Sequence, residues 1–483
     1  MRHRGHWSAL LLVIAGSFAV LGGFAPRIRD AAPPIPTRVV TADGREVLTG
    51  EAILRGQNVW QSIGGQEVGS VWGHGAYVAP DWTADWLHRE ALLVLDRWSR
   101  AEGVGGYAAL PAERQAALRE RLGRTLHENT WDAGTGTLVI GPERAAAFDA
   151  LAAHYGDVFA NGRDAYAIPA GSLADPGRLR ELAAFFWWTS WASVTVRPGE
   201  TVTYTQNWPH EPLVGNRPTG GAVVWSVVSF VLLLAGIGAL AWYHGGRQEP
   251  IAVEDHPERD PLFGLRPTPS QRATVKYFWT AAALLVVQIA LGAVTAHYAV
   301  EGSGFYGFPL AKVLPYAVTR TWHTQLGIFW IATAWLATGL YMGPAVSGVE
   351  PRGQRALVLF CLRALRPGAA WRERPVAAAF WLINGGLALM VLLSLLPVGI
   401  LQTWAAVETG TWWARSSDFM QQPLMNVLRW LRIPGDTIFA IGALVLGWFV
   451  LGLATGWSLE KGGRHVDEGS TEVRDAAPAP GRA

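Results

Sequence analysis

Long apolar runs alternate with polar stretches along the 483-residue chain, and they predict six membrane-spanning helices, near residues 7–24, 221–243, 275–299, 321–344, 377–401 and 436–457. Each is about twenty residues, the length a bilayer core requires. The first run follows Arg2 and Arg4; it reads as a retained anchor over 1–24, with a cleaved signal peptide as the alternative because "AVLGGFAP" offers small residues. Between the first two runs lies a polar segment, 25–220, long enough to bury its own core. Helical periodicity marks 51–62, 82–102 and 111–126, while "SVTVRPGETVTYTQNWP" alternates like a short hairpin with a Pro-Gly turn.

Basic residues orient the spans. The loop 244–274 holds Arg247, Arg259, Arg266 and Arg272, and the loop 345–376 holds Arg352, Arg355, Arg363, Arg366, Arg372 and Arg374. Loops 300–320 and 402–435 are poorer in cations and richer in aromatics. By the positive-inside rule both termini face the cytoplasm and 25–220 lies outside, as in a multi-pass protein of the bacterial inner membrane. The division expected is an anchor at 1–24, the outer domain at 25–220, a span at 221–243, two spans within 244–356, two within 357–460, and a charged, Pro-Ala-rich tail at 461–483 that reads as disordered.

Composition narrows the chemistry. Twenty-five Trp, many near the ends of apolar runs, fit interfacial anchoring. A net charge of +2 without a basic stripe excludes nucleic acid as a partner and leaves membrane lipid. The single cysteine, Cys361, excludes an internal disulfide, a C-x-x-C-H haem attachment and any multi-cysteine metal site. His74, Asp81, Asp85 and His88 are interspersed in the Gly- and Trp-rich stretch 60–90, where a packed loop around indole rings is favoured over a metal site.

Six strings then become recognisable: "WQSIGGQEVGSVWGHGAYVAPDW", "NWPHEPLVGNRPT", "TAHYAVEGSGFYG", "TRTWHTQLGIFWIATAWLATGLY", "INGGLALMVLLSLLPVGILQTW" and "PLMNVLRWLRIPGDTIFAIGAL". Together they resemble the quinol-dependent nitric oxide reductases, large subunits of the haem–copper oxidase superfamily. The resemblance implies a mainly α integral membrane protein with an extracytoplasmic cytochrome-c-like domain that carries no haem c. It implies the reaction of two NO with quinol to give N2O, water and quinone, in respiratory denitrification or NO detoxification. The cofactors implied are a low-spin haem b, a high-spin haem b3 and a non-haem iron.

Carried over residue by residue, the resemblance makes His323 an axial ligand of haem b. It places His297, Glu301, Phe305 and Asp436 around the quinol, and gives the backbone of Gly75 and Tyr77 to a calcium ion. Each has a plainer reading. His323 is then an imidazole satisfied by a helix-neighbour hydroxyl or by water, and Asp436 a residue at a helix N-terminus after Gly435.

The histidine count departs from the family. A bis-imidazole haem, a second haem and a non-haem iron together need about six imidazoles in the membrane. The histidines here are 3, 6, 74, 88, 127, 154, 210, 244, 256, 297, 323 and 465, with no His-His pair and no H-x-H. Only His297 and His323 fall inside apolar runs, with His244 at an edge. "YMGPAVSGVEPRGQRAL" and "LVLFCLRAL" resemble helix ends that the family keeps far apart, so an internal deletion of about eight spans is expected near 356–358. Haem b3 and non-haem iron then lack ligands in this chain. It is expected to be inactive alone, either a truncated remnant that binds quinol or haem, or one part of a homo-oligomer or of a complex whose second polypeptide supplies the missing helices.

Overall fold

The computed structural model describes residues 4–76, 78–103, 105–245, 267–302, 304–347 and 372–458. Tyr77, most of the loop 244–274, the expected junction at 356–358 and the tail at 461–483 lie outside them. The chain folds as two units: Met1–Glu254 with Val287–Leu326 and Gly386–Thr437, and Asp255–Val286 with Gly327–Gly385 and Ile438–Ala483.

The chain opens with α1 (Arg4–Asp30), whose described apolar side chains are largely exposed: Leu12 is 74% and Phe18 70% exposed. The outer segment follows as β1 (Arg38–Thr41), β2 (Glu46–Thr49), α2 (Gly50–Ser62), α3 (Trp82–Ala101), α4 (Ala112–His127), β3 (Trp131–Asp132), β4 (Thr137–Ile140), α5 (Pro142–Asn161) and α6 (Pro176–Val194). The sheet order is β2-β1-β4-β3, with β1 parallel to β4 and the other pairs antiparallel. Side-chain caps from Thr49, Asp81 and Asp175 start α2, α3 and α6 by accepting orphan backbone N–H groups. The expected helices at 51–62, 82–102 and 111–126 coincide with α2, α3 and α4.

Against expectation, the hairpin after α6 shrinks to one bridge. Val196 pairs with Thr203, and the turn closes through the Val202 carbonyl, which accepts from Arg197 N–H. Its first residues, Ser193 and Val194, belong to α6 instead.

The core of this segment is aromatic. Trp82 and Trp86, one turn apart on α3, are fully buried; Trp82 stacks on Phe186 and Trp86 on Tyr155, at centroid distances of 5.4 and 5.2 Å. Helix α2 lies so close to α6 that a Cβ on Gly56 would come within 1.9 Å of the Glu181 carbonyl oxygen. Only hydrogen fits at that crossing.

Beyond the outer segment come α7 (Gly220–Gly245), α8 (Pro269–Ala273), α9 (Val275–Glu301), α10 (Leu310–Val313), α11 (Tyr316–Ser347) and α12 (Glu373–Met390). A π-helical turn at Val391–Leu395 leads into α13 (Leu396–Glu408), followed by α14 (Ser417–Met420), α15 (Pro423–Trp430) and α16 (Arg432–Thr455). Pro397 has no N–H to give the preceding turn, which accounts for the widened register before it. Among the described residues, five helices are long and apolar enough to cross a membrane, and α7 contributes a shorter apolar stretch, Val227–Tyr243. The protein is mainly helical and multi-pass. Burying one large apolar side chain is worth about 1.5–3 kcal/mol, so the exposed rows on these helices, such as Trp335 at 76% and Trp242 at 80%, belong in hydrocarbon rather than water.

Within one unit, Gly435 of α16 meets Met390 and Gly386, and within the other Gly442 meets Leu382 and Ile383. A Cβ at either glycine would come within 2.8 Å of a neighbouring backbone atom. Small residues at such crossings let membrane helices approach closely.

Candidate functional site

The last turn of α9 gathers three of the expected residues. His297 and Glu301 are four apart, which puts them on one face, and the imidazole Nδ1 lies 3.2 Å from the carboxylate Oε2. Gly302, at φ +88°, then ends the helix and turns the chain back. The turn lays the Phe305 ring flat on the imidazole, with centroids 4.1 Å apart and planes 5° from parallel, while Tyr306 meets it edge-on. The imidazole is thus held between a carboxylate and an aromatic face.

Asp436 is not a helix N-terminal residue. α16 begins at Arg432, and Asp436 sits one turn in, with Oδ2 3.0 Å from the Arg432 Nε. It also lies within electrostatic reach of His297. Two carboxylates, an imidazole and a guanidinium therefore share one neighbourhood, a set able to bond hydroxyl groups and to accept protons.

His323 stands in the second turn of α11. Its Nδ1–H donates to the Gln288 carbonyl oxygen of α9 at 2.8 Å. Gly292 makes the space: a Cβ there would lie 2.7 Å from the imidazole Cε1. A metal-ligating histidine commonly donates its other ring N–H to a carbonyl in this way, which orients the ring. These residues fit one axial side of a haem. The bond equally gives a half-buried imidazole a partner without any metal, here a backbone carbonyl rather than a hydroxyl or water.

Gly75, one of the two residues expected at calcium, has φ +83°. The Arg415 side chain packs over it, its Cγ 2.8 Å from where a Cβ would be, and the Arg415 Nη1 donates to the Ala76 carbonyl at 3.0 Å. Tyr77 lies outside the described residues. Among the described residues no three His, Cys, Asp or Glu side chains cluster as a metal site.

The interspersed polar residues of 60–90 are dispersed in space. Asp81 caps α3 and accepts from Ser70 Oγ and Gly73 N–H at 2.6 and 2.7 Å. Asp85 accepts from the Tyr155 hydroxyl and from Arg89. His88 stacks on Trp412 at 3.6 Å and pairs with Glu211, and His74 packs against Trp208.

Burial pushes the Asp81 carboxyl up to about 6 against the pull of its hydrogen bonds. A carboxyl raised in the folded state stabilises fully below its unfolded value near 3.8 and loses that contribution as pH rises through about 6. Two pKa units at 1.36 kcal/mol each make this about 3 kcal/mol. Relative to Asp81→Asn, the wild type should therefore lose stability between pH 4 and pH 7 in thermal melts. A difference flat across that range would refute it.

Two family matches bear on these residues. Residues 36–210 match the cytochrome c-like domain of nitric oxide reductase NorB, and residues 272–370 match "Cytochrome C and Quinol oxidase polypeptide I". The chain is a NorB-like protein with a truncated polypeptide I region. No curated protein matches it. Haem and metal cofactors belong to the families matched, and the polypeptide I match contains His297, Glu301, Phe305 and His323. Asp436 lies beyond that match. Sequence reasoning missed Arg415: one cation in an aromatic loop gives no sign that it caps the Ala76 carbonyl hundreds of residues away.

Proposed function

We propose that this chain is a quinol-binding derivative of a quinol-dependent nitric oxide reductase that cannot assemble the iron centre for NO reduction by itself. The observation that supports quinol is the His297–Glu301–Phe305 cluster with Asp436 nearby. A quinol hydroxyl can donate to the Glu301 carboxylate while the ring lies along Phe305, and His297 can take the proton. Oxidation of the quinol releases two protons and two electrons, and a haem held by His323 would supply the electron acceptor. The ligands of haem b3 and of the non-haem iron are assigned to the spans missing near 356–358, since no histidine follows His323 except His465. A second polypeptide that contributes those spans would restore the family reaction.

Binding of a short-chain ubiquinol, followed by fluorescence quenching in detergent, tests the site. Glu301→Gln and His297→Ala should each weaken it about tenfold, the size of one charge-assisted hydrogen bond at 1.4 kcal/mol. Unchanged affinity in both variants would exclude the site.

We place the protein in the bacterial cytoplasmic membrane with 25–220 outside, on the arginine bias of the loops. Reporters fused at residue 150 should report export and those at 260 and 360 should not. Export from either of the latter reverses the orientation.

A further inference from the structure

One cavity shares no residue with the quinol cluster. It holds about 970 Å³. One wall is the segment after α6, with Trp208, His210 and Arg217, joined by His74. The other wall is the end of α13 and the loop beyond, including Gln402, Thr403 and Arg415.

A groove of about 630 Å³ continues from it along α13, lined by Leu395, Leu396, Gly399, Ile400, Trp404 and Val407. The two share Gly399, Thr403, Val407 and Glu408, so apolar trough and polar chamber are continuous. From Gly399 to Glu408 the helix rises about 14 Å at 1.5 Å per residue. The trough runs along a helix that crosses the membrane, and Trp404, 68% exposed, stands beside it near the polar end. Trp at that level is the usual mark of the headgroup interface.

We propose that this is a binding site for one anionic phospholipid, with an acyl chain in the α13 trough and the phosphate in the chamber. Charge decides the headgroup. Arg217 and Arg415 are the two permanent cations of the chamber, His74 and His210 add imidazole donors, and Glu408 is the only carboxylate on its wall. Arg415 donates Nη1 to the Ala76 carbonyl at 3.0 Å, and Arg217 brings its guanidinium from an exposed position on the other wall. His210 is oriented by its Nδ1 bond to the Asn216 carbonyl at 2.7 Å. Phosphate suits such a fork of guanidinium donors, while a zwitterionic choline headgroup brings its own cation into the same chamber. Gly399 keeps the trough open: a Cβ there would meet nothing within 4 Å.

Native mass spectrometry of the full chain in mild detergent, with dioleoyl phosphatidylglycerol or dioleoyl phosphatidylcholine added, tests the site. One phosphatidylglycerol per chain should be retained, about tenfold in preference to phosphatidylcholine. Arg217→Gln, at an exposed position, should abolish most of that preference. Gly399→Leu fills the trough without a steric clash and should reduce retention of both lipids. Equal retention of the two lipids, retention unchanged in both variants, or displacement of the lipid by millimolar inorganic phosphate would each overturn the proposal.

Discussion

Proteoliposomes that contain only this 483-residue chain should consume no NO when quinol is supplied, at any quinol concentration. The reason is a count of ligands. Coupling two NO molecules requires two irons held face to face, and each iron is held by imidazoles inside the membrane. Only His297 and His323 lie inside apolar runs, and His323 is the last histidine before the polar tail. His297 is already engaged by Glu301 and covered by Phe305. Neighbouring groups tune a metal site but do not replace its ligands, so a missing set removes the metal and with it the turnover. The expected result is therefore absence of N2O, not a slower rate. His323-dependent N2O from a preparation shown to hold this chain alone would contradict it, and restored turnover on adding a second polypeptide would identify the complementing spans.

The second large effect concerns haem b. On the His323 side, Nδ1 is tied to the Gln288 carbonyl and Gly292 leaves room for the ring. One imidazole does not make a six-coordinate low-spin haem. The purified chain should accordingly show well under one haem per chain and no sharp bis-imidazole bands. Whatever haem is retained should vanish in His323→Ala. It should also vanish in Gly292→Leu, whose Cβ alone would crowd the imidazole at 2.7 Å. One haem per chain with sharp reduced bands would show that another residue completes the pair, and loss of those bands in His297→Ala would name it.

How much of this could be read from the residues follows from the physics of each element. The apolar runs were legible because bilayer thickness demands uninterrupted length, and α2, α3 and α4 because one face of each is polar. By contrast α6 carries "AAFFWWTSWAS", apolar on nearly every side, and a helix buried all round has no period to detect. The sheet was hidden for another reason: β1 pairs with β4 about a hundred residues later, and four-residue strands carry little alternation.

At the site, the i, i+4 spacing of His297 and Glu301 was readable, but not the turn at Gly302 that lays Phe305 on the imidazole. Asp436 was misplaced by one helical turn. Gly435 looked like a boundary, yet α16 starts at Arg432 and the Arg432–Asp436 pair lies within it. The calcium expectation rested on a backbone motif alone, and nothing in that motif announces that Arg415, from a distant loop, donates to its Ala76 carbonyl. The chamber beside α13 was invisible for the same reason, because its two walls are joined only by folding.

Iron and haem counting on the homogeneous chain tests the central claim most directly, since it needs neither substrate nor turnover. Inductively coupled plasma analysis gives total iron per chain, and the pyridine haemochrome assay gives haem per chain. An intact reductase of this family would hold two haems and one further iron. The account predicts less than one haem b per chain, dependent on His323, and no iron beyond that haem. One non-haem iron and two haems per chain would contradict it.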